Sequence, residues 1–480
     1  MLQRVFAGGA VMALGFSVQA FGAELAGAVS SERAPRERVY YDGVDEHGNL
    51  VGGVVEMPMV EAAVRRMQDA GRVGRGAAAD NRVDIVIVGD GYTAGEMATF
   101  HSDAAFTRDA FLSYEPFKSY ELYFNFHEVE VVSSESGVDN DPTQGILKNT
   151  ALDMRFWCSG TERLLCVNVT KAYSFAGMAP AVDQVLAIAN SSKYGGAGYT
   201  GSDLATSAGH NSLAPEIAVH ELGHSLGNLA DEYDYGGPAT YTGGETGAPD
   251  SSIYEAVTMA ALNTKWTNWL GYTGDVRFDN PVNTYEGAEY SQFGVYRPSP
   301  NSMMRSLNRK FNAPSAESLI VEVYKQVSPI DGHSSNAAPV GSDESVSVTP
   351  MTPLDHDLDI EWTLDGAPIA AASGQTTLDL STLGITSSSV VRATVTDNTD
   401  MVRDESLRAA WMTDSVEWAV TAVGCGAADL DGDGGLDLDD INLFAQAFVA
   451  QETAADLDGS GTFNLDDINL FADAFVAGCP

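Results

Sequence analysis

The chain has 480 residues, with 26 Lys and Arg against 67 Asp and Glu, a net charge of −41. That balance repels phosphate backbones, which excludes nucleic acid as a partner, and it attracts cations. With 44% hydrophobic and 19% charged residues the chain reads as globular, long enough for two or three domains with a real core.

Residues 1–20 read as a secretory signal. Arg4 gives a basic start, VFAGGAVMALGFSV is apolar, and small residues at Val18 and Ala20 predict cleavage after Ala20, with Ala23 as a second site. The apolar run is too short to span a bilayer and no other stretch is long enough, so the chain is expected to be secreted or held at the cell surface. The four cysteines, an even count in an exported chain, predict two bridges by proximity, Cys158–Cys166 and Cys425–Cys479. Residues 21–81 contain YYDGVDEHGNLVGG, which reads as hairpin, and VEAAVRRMQDAG, which reads as a short helix. They form either a propeptide or a small accessory domain. No cysteine precedes position 158, so latency through a propeptide cysteine is excluded.

From residue 82 to 330 the pattern is α/β. VDIVIVGD (83–90) is an unbroken apolar run, as in a strand covered on both faces. GDGYT is turn chemistry, which gives Asp90 and Tyr92 structural roles, and Thr93 and Glu96 have capping-box spacing for a following helix. Residues 123–137 and 184–191 read as further strands. YGGAGY (194–199) is either an edge strand lining a peptide cleft or a plain glycine loop. Residues 331–341 read as a linker. Residues 342–422 hold short alternating segments with tryptophans, as in an Ig-like β-sandwich.

Residues 428–450 recur as 455–477, matching at 18 of 23 positions. Oxygen side chains stand at loop positions 1, 3, 5, 9 and 12: Asp429, Asp431, Asp433, Asp437 and Asp440, then Asp456, Asp458, Ser460, Asn464 and Asp467. Gly434 and Gly461 occupy position 6, where the loop turns sharply, so each copy is expected to hold one Ca²⁺. Residues 425–480 carry twelve acids and no Lys or Arg. This loop–helix duplication resembles a dockerin, an all-α calcium module, and that resemblance implies a cohesin-like or cell-surface partner.

The sharpest signal is APEIAVHELGHSLGNLADEYDYGG, from residue 214 onward. Pro215 suits a first helical turn. His220 and His224, one turn apart, can share one metal ion, and Glu221 can take a proton from an attacking water and pass it to a leaving amine. Gly227 stands where the chain can leave the helix. The spacing is similar to the metzincin pattern H-E-x-x-H-x-x-G-x-x-H/D. The pattern's third ligand falls on Ala230, which cannot ligate, so Asp231 is favoured, with Glu232 the runner-up and Asp234 third. His127, His210, His333 and His356 lack spaced partners and read as surface or core residues.

DIVIVGDGYTAGEMATF, FKSYELYFNFHEVEVVSSESGVD, SKYGGAGY and VHELGHSLGNLADEYD together resemble the M64 family of metallopeptidases, known for an IgA-cleaving member. The resemblance covers residues 82–330. It implies a metzincin-like fold and a zinc endopeptidase using one Zn²⁺, and it implies a methionine beneath that ion. In PNSMMRSLNRKFNAPS (300–315) that residue is Met304, with Met303 as the alternative. The family often carries cysteines here; Ser302 and KFNAPS have none. The rival class is a non-catalytic surface protein built on the same scaffold, with the dockerin-like repeat doing the binding.

Overall fold

The computed structural model of the protein describes residues 36–44, 50–59, 80–234, 239–423, 426–432 and 434–478. The expected signal segment, the helix expected near residues 60–71, Asp433, Cys425 and Cys479 lie outside the described residues. Arg36–Pro480 is one unit of the chain.

A seven-stranded mixed sheet organises the first lobe. Its strands are β1 (Arg36–Val44), β2 (Leu50–Pro58), β3 (Val83–Asp90), β4 (Phe124–Val129), β5 (Gln184–Ala189), β6 (Gly196–Tyr199) and β7 (Leu204–Ala208). Their order is β2-β1-β6-β7-β5-β3-β4. The pairs β4–β3, β3–β5 and β5–β7 are parallel, while β6 runs antiparallel to β7, β1 to β6 and β2 to β1. Every residue of β3 is buried. Its alternate side chains serve two cores, Ile85 and Ile87 on one face and Val86 and Val88 on the other, which is why the run is apolar without a break.

Helices α1 (Met97–Phe111), α2 (Val169–Ala176) and α3 (Ala214–Gly227) cover the sheet. Phe100 and Phe111 of α1 and Ala218 and Leu222 of α3 fill the first core, and Ala172 and Tyr173 of α2 fill the second. The result is three layers. The expected Thr93–Glu96 capping box forms just ahead of α1, and Asp90 accepts the backbone N–H groups of Leu152 and Met154 at 2.9 and 2.8 Å. Cys158 and Cys166 are disulfide-bonded. Beyond α3 follow α4 (Ala256–Leu262), the hairpin β8 (Tyr285–Ala288) and β9 (Ser291–Arg297), and α5 (Ala313–Tyr324).

The stretch expected to be a linker contains two short strands, β10 (Ile330–His333) and β11 (Val340–Gly341). The remaining strands are β12 (Ser345–Pro350), β13 (Asp359–Leu364), β14 (Ala367–Pro368), β15 (Thr377–Asp379), β16 (Ser389–Thr396) and β17 (Thr413–Thr421), with α6 (Glu405–Trp411) before the last. They make a three-stranded sheet, β10-β12-β15, and a five-stranded one, β11-β17-β16-β13-β14. Both sheets feed one core, where Trp362 and Trp418 stack 5.7 Å apart. That core is continuous with the first core of the α/β lobe. Asp397, wholly buried, joins the two: Tyr120 and Tyr324 each donate to its Oδ2 at 2.7 Å and His356 Nε2 lies 2.8 Å from its Oδ1.

Helices α7 (Leu438–Ala450) and α8 (Leu465–Ala477) close the described chain. They pack through Phe444 and Phe471, stacked 4.1 Å apart. Among the described residues no helix is long and apolar enough to cross a membrane.

Candidate metal centre and catalytic site

Helix α3 begins after Leu213, with Pro215 in its first turn, and ends when Asn228 takes a left-handed conformation at φ 51°. Gly227 is the last residue of the helix, as the spacing suggested, and the left-handed turn itself falls on Asn228. Gly227 also lies close to α5: a Cβ there would stand 2.5 Å from Leu319 Cδ2. Glycine also lets the helix lie against its neighbours on two other sides. A Cβ on Gly198 of β6 would meet the Glu221 carbonyl and the His224 Cβ, each at 2.7 Å, and one on Gly223 would meet Met304 Sδ at 2.8 Å. Met304 thus lies directly beneath the histidine-bearing turn.

His220, Glu221, His224 and Asp231 are all wholly buried. His220 Nδ1 is 2.9 Å from the Met303 carbonyl and His224 Nδ1 is 2.8 Å from the Leu229 carbonyl. A carbonyl only accepts, so each Nδ1 carries a hydrogen, and in a neutral ring each Nε2 is left as a bare lone pair. Those two Nε2 atoms are 3.0 Å apart. Asp231 Oδ1 lies 3.2 Å from the first and 3.4 Å from the second. Asp42 Oδ2, from β1, touches His220 Nε2. All four ligand atoms fall within 4.8 Å of one another.

Such a cluster opposes lone pairs to lone pairs unless a cation sits among them. Asp42 Oδ2, Asp231 Oδ1 and both Glu221 oxygens are buried with no hydrogen-bond donor. Burial alone would depress His220, but the Asp42 and Asp231 carboxylates outweigh it and hold the ring well above the usual imidazole range. Burial, and then the Asp42 charge, push Glu221 well above the ordinary carboxyl range. Burial would raise Asp231 too, yet His224 and His220 hold it below its usual value. The negative potential that raises His220 is the potential that would hold a metal ion against the two bare Nε2 atoms, and the residues fit one.

The three carboxylates weighed as third ligand separate clearly. Asp231 faces the histidines. Glu232 turns away and accepts from Ser302 Oγ at 2.8 Å and Asn312 Nδ2 at 2.6 Å. Asp234 pairs with Arg305 at 3.8 Å. Backbone bonds fix this exit: Ala230 N donates to Asp250 Oδ1 and Glu232 N to the Met304 carbonyl, each at 2.8 Å.

A family model for IgA peptidase M64 matches residues 73–277 and 271–323, together more than half of the 480 residues. The chain belongs to the IgA peptidase M64 family. M64 peptidases are metallopeptidases, so this chain is assigned as a hydrolase of peptide bonds, and the buried cluster is its possible metal site. No curated protein matches the chain. The M64 match takes in His220, Glu221, His224, Asp231 and Met304 but begins after Asp42.

Two residues at the M64 site had escaped the sequence reading. Asp42 stands far from the HELGH segment in a hairpin with no ligand spacing. Tyr290 sits in the β8–β9 turn, where Glu289 and Tyr290 both have positive φ without being glycine, and its hydroxyl donates to Asp231 Oδ2. Neither carries a motif; only the tertiary fold brings them in.

Outside the M64 span, each C-terminal loop gathers three carboxylates: Asp429, Asp431 and Asp440, then Asp456, Asp458 and Asp467. Gly434 and Gly461 have φ of 83° and 73°, as a sharp turn at position 6 requires. Asp437 and Asn464 instead cap the helices that follow, accepting from Asp439 N and Asp466 N. Ser460 Oγ lies 2.8 Å from Thr462 Oγ1.

Proposed function

We propose that the chain is a secreted, metzincin-type zinc endopeptidase, with His220, His224 and Asp231 as ligands and Glu221 as general base. The observation that carries this is the pair of Nε2 atoms 3.0 Å apart, each ring locked by its Nδ1–H, with the buried, donorless Asp231 Oδ1 beside them. Two imidazoles and a carboxylate in a closed pocket are a zinc donor set. When bound, the ion supplies the Lewis acidity that polarises a peptide carbonyl and acidifies water.

The remaining chemistry belongs to the chain. Burial keeps Glu221's proton affinity high, so its carboxylate takes a proton from the attacking water readily and returns it to the departing amine nitrogen. The Met303 and Leu229 carbonyls hold both rings in one orientation. Tyr290 fixes Asp231. Met304 supports the floor. The domain reading remains that of the sequence: catalytic residues 82–330, an Ig-like sandwich over 342–422, and a dockerin-like module over 425–480 that takes two Ca²⁺ and a cohesin-like or cell-surface partner.

The test is metal analysis of the purified full chain, together with digestion of a peptide library before and after chelation. One zinc per chain, lost in His220→Ala, supports the reading. A chain that takes up no zinc, or that cuts the library undiminished after chelation, overturns it.

A further inference from the structure

We propose that Asp42 is a fourth protein ligand of the catalytic ion, and that the hairpin β1–β2 lies in the cleft where a substrate would lie and holds the site closed. The inference rests on the metallopeptidase reading and adds a regulatory state to it.

Three observations carry it. Asp42 Oδ2 is buried, touches His220 Nε2 and receives no hydrogen bond, so it is aimed at the same point as the other ligand atoms. Metal sites with four protein ligands are closed, whereas catalytic sites keep a position for water. The contact comes from a strand that occupies a functional edge: β1 pairs antiparallel with β6, Val39 with Tyr199 and Tyr40 with Gly198. An extended peptide can pair by its backbone only with an edge that is free. The side chain two residues before Asp42 also takes part, because the Tyr40 ring lies flat on His224 with centroids 4.0 Å apart and planes at 6°.

The hairpin is built for this position. Tyr233 donates to Asp42 Oδ1 and so turns Oδ2 toward His220. Gly52 stands opposite Asp42 in the register, and a Cβ there would collide with the Tyr233 hydroxyl. Arg38 pairs with Glu289 at 3.1 Å, and Glu37 accepts from Ser202 Oγ at 2.6 Å. Yet β1 is registered with β6 at two residue pairs and with β2 at nine. The backbone pairing makes the hairpin one coherent piece, and what joins it to the catalytic sheet beyond two residue pairs is a set of side-chain contacts that must part together for it to withdraw. Withdrawal exchanges one carboxylate ligand for water and frees the β6 edge in the same movement.

The test uses the full chain loaded with Co²⁺, whose visible spectrum reports its ligands, and acetohydroxamic acid as a probe of an open position. Wild type is compared with Asp42→Ala and with Asp42→Asn, which keeps the side-chain size and an acceptor for Tyr233 should the alanine variant not fold. Both variants should keep one metal per chain and show an altered cobalt spectrum. They should bind hydroxamate at least about tenfold more tightly than wild type, since a site open less than a tenth of the time weakens apparent affinity by that factor. Their zinc forms should hydrolyse peptides faster than wild type by a similar factor. Equal spectra and equal hydroxamate affinity with and without Asp42 overturn the inference while leaving the peptidase reading intact. A chain that takes up no cobalt overturns both.

Discussion

Ser302 donates its hydroxyl hydrogen to Glu232 at 2.8 Å and so turns the second acid of the Asp-Glu pair away from the histidines. Ser302 is thus the hydrogen-bond donor that sorts two adjacent carboxylates. Asp231→Ala should therefore strip zinc from the chain. Glu232→Ala should keep the zinc and instead lower stability by about 1–3 kcal/mol, because Ser302 and Asn312 lose their buried acceptor. Metal content and thermal melting of the two variants decide. Loss of zinc in Glu232→Ala alone reverses the assignment.

Glu221→Gln should retain the metal and lose turnover by roughly 10²–10⁴-fold, the usual span for a general base. The comparison is best made in the Asp42→Ala background, where the site is open. Zinc content and peptide cleavage are read from the same preparation, and a fully active variant removes Glu221 from the mechanism.

Gly198→Ala should be among the most damaging single-methyl changes in the chain. The new Cβ meets the Glu221 carbonyl and the His224 Cβ at 2.7 Å, and neither atom is the free end of a flexible side chain. Overpacking of this kind costs about 1–3 kcal/mol. Urea titration should show that loss together with weaker metal retention; an unchanged midpoint refutes the close fit of β6 against α3.

The junction of the two lobes should weaken in alkali. Burial alone would lower His356, but its bonds to Asp397 and Asp355 outweigh that and raise it to about 9. A raised folded-state value means that the contribution is complete below the ordinary imidazole value of about 6.5 and is lost as pH rises through about 9. Melting temperature against pH should fall over that window in the wild type and be flatter in His356→Gln.

Residues 425–480 expressed alone should be largely unfolded in chelator and helical with Ca²⁺, since binding only to the folded form turns metal affinity into stability. Circular dichroism with and without Ca²⁺ reads this directly. A chain ending at residue 423 should cleave peptides as the full chain does. A calcium-indifferent spectrum means that the repeat is no metal module.

Much of this was legible in the sequence because it is local. The β3 run, the Thr93–Glu96 box, helix α3 and the two glycine-turned acidic loops each rest on interactions within a few residues. Which of Asp231 and Glu232 faces the histidines was half legible: spacing narrowed it to neighbours, and only Ser302 and Asn312, 70 and 80 residues beyond Glu232, orient the pair. Asp42 and Tyr290 were illegible, since each reaches the histidines through strand pairing or turn geometry that leaves no periodic trace. Gly227 marks the helix end, which its spacing makes legible, but its approach to Leu319 leaves no trace in the sequence.

The Asp397 junction bears on how such chains can be reshuffled. A recombination breakpoint between residues 331 and 341 would leave the Tyr120 and Tyr324 hydroxyls without their shared carboxylate, and would bare the apolar seam around them. The acceptor belongs to one partner of any such graft and the donors to the other. The α/β lobe and the two-sheet lobe after it would therefore have to travel as a pair, while the acidic repeat beyond residue 423 packs around a core of its own.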